Sequence, residues 1–147
     1  MKKLILLVSM IMTLAFSMVA FAAGDGSALN AEQKNAEKLL SAMTNSTATV
    51  CSLKGIFTPG LEKKIDAAAL AALQKTVTDK FGTVKGETKF RVFECADKAD
   101  VLLYQAGFSK EKLVNFQFVF AKEGEKSLID SFSFGPVTAP AQAPAKK

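Results

Sequence analysis

The chain has no histidine, no tryptophan, a single tyrosine (Tyr104), a single arginine (Arg91) and two cysteines in 147 residues. Each scarcity removes chemistry. Without histidine there is no imidazole base, none of the commonest transition-metal ligand, and no Ser-His or Cys-His nucleophile pair. Two cysteines cannot form a Cys-only structural zinc site. They are not spaced C-x-x-C, which argues against a redox-active pair. No cofactor or metal is expected. One arginine and no basic patch make nucleic acid an unexpected partner.

What is present begins with an address. Lys2 and Lys3 precede an uncharged, mostly apolar run from Leu4 to Val19. Ala20-Phe21-Ala22 then places small residues where a signal peptidase requires them. Residues 1–22 read as a signal peptide cut before Ala23, and the product as exported, periplasmic or secreted. The competing reading is an uncleaved N-terminal anchor, because Leu4 to Ala23 approaches the ~20 apolar residues that span a bilayer. The A-x-A site and the polar, Gly-rich Gly24-Asp25-Gly26-Ser27 that follows favour cleavage. No later stretch is long and apolar enough to span, so no stable membrane span is expected after cleavage.

The signal takes two lysines with it, so 19 basic residues become 17 against 14 acidic. Lys146 and Lys147 close the chain, which leaves the expected folded part close to neutral. Residues 23–29 read as a flexible leader, 30–135 as one domain, and the Ala/Pro-rich 136–147 as an extended tail without periodicity.

Within the domain, Asn30 and Gln33 have the spacing of a capping box. Ala36, Leu39, Leu40 and Met43 follow at helical spacing, and the helix is expected to end near Asn45. Thr58-Pro59 reads as a cap with proline at the first helical position. Asp66 is placed to cap a further helix, with Leu70, Leu73, Val77 and Phe81 on one face and Gly82 as its stop. Asn45-Ser46-Thr47 matches a glycosylation sequon and is read as a chance match.

After Gly82 the apolar period changes from 3.6 to 2. Strands are expected over 86–95, 100–108, 112–121 and 127–134, joined by gaps short enough to require antiparallel hairpins. Alternation assigns Phe90, Val92, Leu102, Tyr104, Phe108, Val114, Phe116, Phe118, Phe120, Leu128, Phe132 and Phe134 to one face. The other carries Arg91, Gln105, Asn115, Gln117, Ser131 and Ser133, mixed with Phe93, Leu103 and Ile129. Helices followed by an antiparallel sheet define an α+β fold.

Four segments carry a resemblance: Asp79-Lys80-Phe81-Gly82, Tyr104-Gln105-Ala106-Gly107-Phe108, and the two strands Val114–Phe120 and Leu128–Phe134. Together they resemble small exported bacterial domains of unknown function in the nuclear-transport-factor-2-like, cystatin-like superfamily. That resemblance implies N-terminal helices packed on a curved four-stranded antiparallel sheet, a cone. The superfamily holds isomerases, dehydratases, transport adaptors and ligand-binding modules, so it implies no single activity.

Cys51 and Cys95 form an even pair in an exported chain and are expected to form a structural disulfide. The closed loop of about 45 residues would contribute about 4 kcal/mol on the chain-entropy account. Strand parity puts Asp130 among Leu128, Phe132 and Phe134 on the apolar face. A carboxylate there is desolvated, which is how a general base is tuned. Tyr104 on the same face could donate to a developing oxyanion, so the two are the catalytic candidates for a cofactor-free isomerase or lyase. A bulge after Ile129 would instead turn Asp130 to solvent. Tyr104, Phe116, Phe118, Asp130 and Phe132 are the residues that would line a small hydrophobic pocket, against a packed core as the simpler outcome. The expectation is an exported, non-enzymatic binding module for a small hydrophobic ligand or an envelope protein. The alternatives are the isomerase or lyase and a homodimer formed through the outer sheet face.

Overall fold

A computed structural model describes residues 28–96 and 99–137, with the side chains of 92–96 outside that description. The segment read as a signal peptide, most of that read as a leader and the residues beyond Val137 also lie outside the described residues. Helix α1 spans Leu29–Thr44, a 3-10 turn Val50–Leu53, helix α2 Pro59–Glu62 and helix α3 Ala67–Phe81. Strands β1 Val84–Ala96, β2 Ala99–Phe108, β3 Val114–Glu123 and β4 Lys126–Pro136 follow. They form one antiparallel sheet in the order β1-β2-β3-β4. The α+β class and the helices-then-sheet order are therefore as the patterning predicts.

Helix starts differ in how they are made. α1 begins at Leu29 with Ala28 as its cap residue and no side-chain cap bond, so Asn30 and Gln33 form no capping box. The start falls inside the segment read as leader, because Leu29 packs against the core. In α3, by contrast, Asp66 Oδ1 accepts the Ala69 amide at 2.7 Å, the predicted cap. Gly82 ends α3 at φ +84°, where a side chain would collide with the Ser109 hydroxyl. The tight link from α3 into β1 needs that glycine.

α1 packs beside α3 and meets β2, β3 and β4. Ala36, Leu39, Leu40 and Met43 of α1 and Leu70, Leu73, Val77 and Phe81 of α3 are buried against Leu102, Tyr104, Phe108, Val114, Phe116, Phe118, Phe120, Phe132 and Phe134. Phe81, Phe108, Phe116 and Phe134 form a ring cluster with centroids 5.7–6.1 Å apart. Each such buried ring contributes about 1.5–3 kcal/mol through removal from water.

Two bulges overturn the simple alternation. Val119 pairs with Ser131 and Phe120 with Ile129, so Asp130 is the extra residue on β4. Ile129 accordingly faces inward and is fully buried, Leu128 falls opposite Ala121, and Asp130 is exposed. The cause is non-local. Segment 56–58 runs alongside β4, with the Thr58 amide donating to Ile129 O at 2.9 Å and the Ile129 amide to Ile56 O at 2.8 Å. On β1, Phe90 pairs with Tyr104 but Val92 with Leu103 and Phe93 with Leu102. The register positions of Val92 and Phe93 are therefore exchanged relative to their assigned faces. Phe90 reaches the Tyr104 ring at 5.4 Å, yet on the edge strand it stays 37% exposed. The sheet also runs further than expected: Pro136 pairs with Val114, and the Val137 amide donates to Leu113 O.

Candidate functional site

The structure separates the two catalytic candidates. Asp130 lies on the solvent side of its bulge, and its Oδ1 accepts a bond from the Thr58 hydroxyl at 3.1 Å. That bond fixes the start of α2, where the Thr58 hydroxyl caps no helix amide. Tyr104 is 2% exposed, and its hydroxyl donates to Glu37 Oε1 at 3.3 Å. Burial, with the Glu37 carboxylate beside it, holds the phenol well above its usual range. Asp130 and Tyr104 thus have different partners on different sides of the sheet, and the bulge that reverses parity at Asp130 is the reason.

The expected pocket residues divide the same way. Tyr104, Phe116, Phe118 and Phe132 are at most 3% exposed and belong to one core cluster, with Tyr104 and Phe118 in edge contact at 5.9 Å. They pack against each other, and Asp130 is not among them. Of the disulfide pair, Cys51 is an exposed free thiol on the 3-10 turn, and the Cys95 side chain lies outside the described residues.

Three features are available for binding or chemistry. The first is the outer sheet face. Arg91 Nε donates to Gln105 Oε1 at 2.8 Å, and Gln105 Nε2 donates to Asn115 Oδ1 at 2.9 Å. This polar ladder crosses β1, β2 and β3 at one level. Val101, Leu103, Gln117, Val119, Ser131 and Ser133 are half-buried on strands whose alternate residues are buried. Across β2, β3 and β4 the face is rich in amides and hydroxyls, and on β1 it carries Lys89, opposite Gln105, and Arg91.

The second is an open groove of about 670 Å³ between α1 and residues 47–52, lined among others by Lys34, Glu37, Lys38, Ser41, Thr47 and Ala48. Gln74 supports its floor, donating through Nε2 to Ala42 O and Asn45 O at 2.9 Å.

The third has no counterpart among the sequence-based expectations. Glu32, in the first turn of α1, is completely buried. Its Oε1 accepts the Ser127 hydroxyl of β4, while Oε2 accepts no hydrogen bond from the described residues. The Asp100 carboxyl of β2 stands within hydrogen-bonding reach, and Lys122 of β3 contributes a weaker positive field. Burial, followed by the Asp100 interaction, pushes the Glu32 carboxyl up to about 7. A signal for this was present. Glu32 precedes Ala36 by four residues and Leu39 by seven, so it lies on the apolar stripe of its helix.

Among the described residues no group of three or more His, Cys, Asp or Glu side chains could hold a metal ion, and no helix is long and apolar enough to cross a membrane. Comparisons of the chain with protein-family models, with curated proteins and with solved structures find no match.

Proposed function

We propose that this chain is an exported, non-enzymatic binding module of the cell envelope, built as a cone of the nuclear-transport-factor-2-like kind, whose contact surface is the outer face of the sheet. The observation that carries the proposal is the Arg91–Gln105–Asn115 ladder. It holds three polar side chains in fixed orientations beside half-buried apolar neighbours, so donors and acceptors are pre-positioned for the polar contacts a partner interface uses. The inner face offers less, because its aromatic residues already occupy one another. The catalytic alternative lacks support, since Asp130 and Tyr104 do not converge.

The test is a photo-crosslinking residue placed at Gln117 in the chain expressed in its host, with Lys38 in the groove as the comparison site. Crosslinking from position 117, lost when Asn115→Lys places a charge in the ladder, is the expected result. Crosslinking from position 38 alone would move the contact to the groove. An adduct with a second copy of the chain would support the homodimeric reading. Turnover of a substrate that is lost in Asp130→Asn would replace binding with catalysis. Cys51 is a free thiol in this structure; its pairing with Cys95 in an oxidising compartment is part of the same proposal. It predicts an unreduced chain two hydrogens lighter than the reduced one.

A further inference from the structure

A buried carboxyl with an unpartnered oxygen is expensive unless something occupies that oxygen. In Glu32 the unpartnered atom is Oε2, next to a second carboxyl. The surroundings come from three strands. Asp100 continues the inward parity of Leu102 and Tyr104 on β2, Lys122 that of Phe120 on β3, and Ser127 that of Ile129 on β4. The inner face of the sheet therefore changes from aromatic to polar at this end, and the first turn of α1 lands on the polar part.

We propose that Glu32, Asp100 and Ser127 form a proton-binding site in which one proton, shared between the two carboxyls, clamps the first turn of α1 to the end of the sheet. The Ser127 hydroxyl already satisfies Oε1. The Glu32 carboxyl, when neutral, donates from Oε2 to the Asp100 carboxylate, so the orphaned oxygen gains a partner and the site keeps one negative charge. Lys122 is placed to balance that charge. Loss of the proton leaves two carboxylates facing one another, with the weaker field of Lys122 set against their repulsion. Two adjacent carboxylates repel, and the burial of Glu32 removes the water that would screen them. The first turn is the part of α1 free to respond. It starts without a side-chain cap, and the Glu32 amide is held by Ala28 O at 3.0 Å. The shared proton thus acts as a latch, closed in mildly acidic surroundings and open in alkaline ones. An exported protein meets such changes of pH directly.

The experiment is carbon-13 NMR of the Glu32 side-chain carboxyl in the full chain, together with amide hydrogen exchange of residues 29–36 at pH 5.5 and pH 8.5, corrected for intrinsic rates. A Glu32 titration midpoint near neutrality is expected. So is a loss of protection in the first turn of roughly tenfold or more at the higher pH. Glu32→Gln keeps a donor aimed at Asp100 and should hold protection constant across the two pH values. Asp100→Asn removes the like charge and should move the Glu32 midpoint downward. The titration of the unmodified chain decides the matter even if a variant fails to fold. An ordinary carboxylate midpoint, or equal first-turn protection at both pH values in the unmodified chain, would overturn the proposal. A midpoint that added calcium displaces downward would overturn it too, by identifying a cation as the ligand.

Discussion

Replacing Glu32 by glutamine should make the protein more stable above neutral pH, an unusual outcome for a substitution at a fully buried position. The folded chain holds the Glu32 proton up to about pH 7, whereas an unfolded chain releases it near 4.5. Between those values the native state binds more protons than the unfolded one, so stability falls as pH rises. The contribution is fully present below about pH 4.5 and gone above about pH 7. The interval corresponds to about 3 kcal/mol at about 1.4 kcal/mol per tenfold change in the equilibrium. Glutamine has the same shape, keeps an acceptor for Ser127 and presents a donor to Asp100. It should remain within about 1 kcal/mol of the native chain at pH 5 and exceed it by about 2–3 kcal/mol at pH 8. Urea unfolding at pH 5, 6, 7 and 8, followed by circular dichroism, measures both slopes. Asp79 and Tyr104 titrate outside this window. Asp79 is held low by Lys75, so its contribution is lost only in acid, and Tyr104 is held high and acts only in strong alkali. A native chain with flat stability from pH 5 to 8 would refute the reasoning, as would a glutamine variant that declines in parallel.

Phe118→Ala should cost about 3–5 kcal/mol, because the residue is fully buried against Tyr104 and a cavity would remain, measurable as a lower urea midpoint with an unchanged slope. Gly82→Ala should destabilise by about 1–3 kcal/mol, since alanine is strained at φ +84° and its methyl would meet Ser109, read from the melting temperature. Asp66→Ala should cost about 1 kcal/mol through the lost cap, with Asp66→Asn recovering most of it. Tyr104→Phe, which removes one 3.3 Å bond to an exposed carboxylate, should change stability by less than about 1 kcal/mol in the same unfolding assay.

The parts of this fold that follow from local pattern were legible in the sequence. The change of period after Gly82, the short turns and the Asp66 and Gly82 signals place α3 and all four strands within a few residues. The errors in assigning strand faces share a physical origin. A bulge exchanges the faces of neighbouring positions, and the one at Asp130 depends on main-chain bonds from Ile56 and Thr58, far away in sequence. No inspection of 127–134 alone could decide between Leu128 and Ile129 as the inward residue. A desolvated carboxylate does exist in this chain, but at Glu32 and not at Asp130. Glu32 sits in a helix first turn, where acidic residues are ordinary because the helix dipole favours them, and that familiarity conceals its place on the buried stripe.

The bonds from segment 56–58 to Ile129 also matter for how the chain behaves among copies of itself. They occupy part of the β4 margin, so that stretch cannot recruit a further strand. The opposite margin, β1, is guarded differently. Lys85, Glu87, Lys89 and Arg91 are all exposed along it, Gly86 turns the backbone to φ +85°, and two register shifts interrupt the ladder. Charges and irregular geometry on an open margin discourage edge-to-edge growth into fibrils. A sheet this rich in phenylalanine is thereby kept from serving as a template, and removal of the lysines at 85 and 89 would be the shortest route to an aggregating protein.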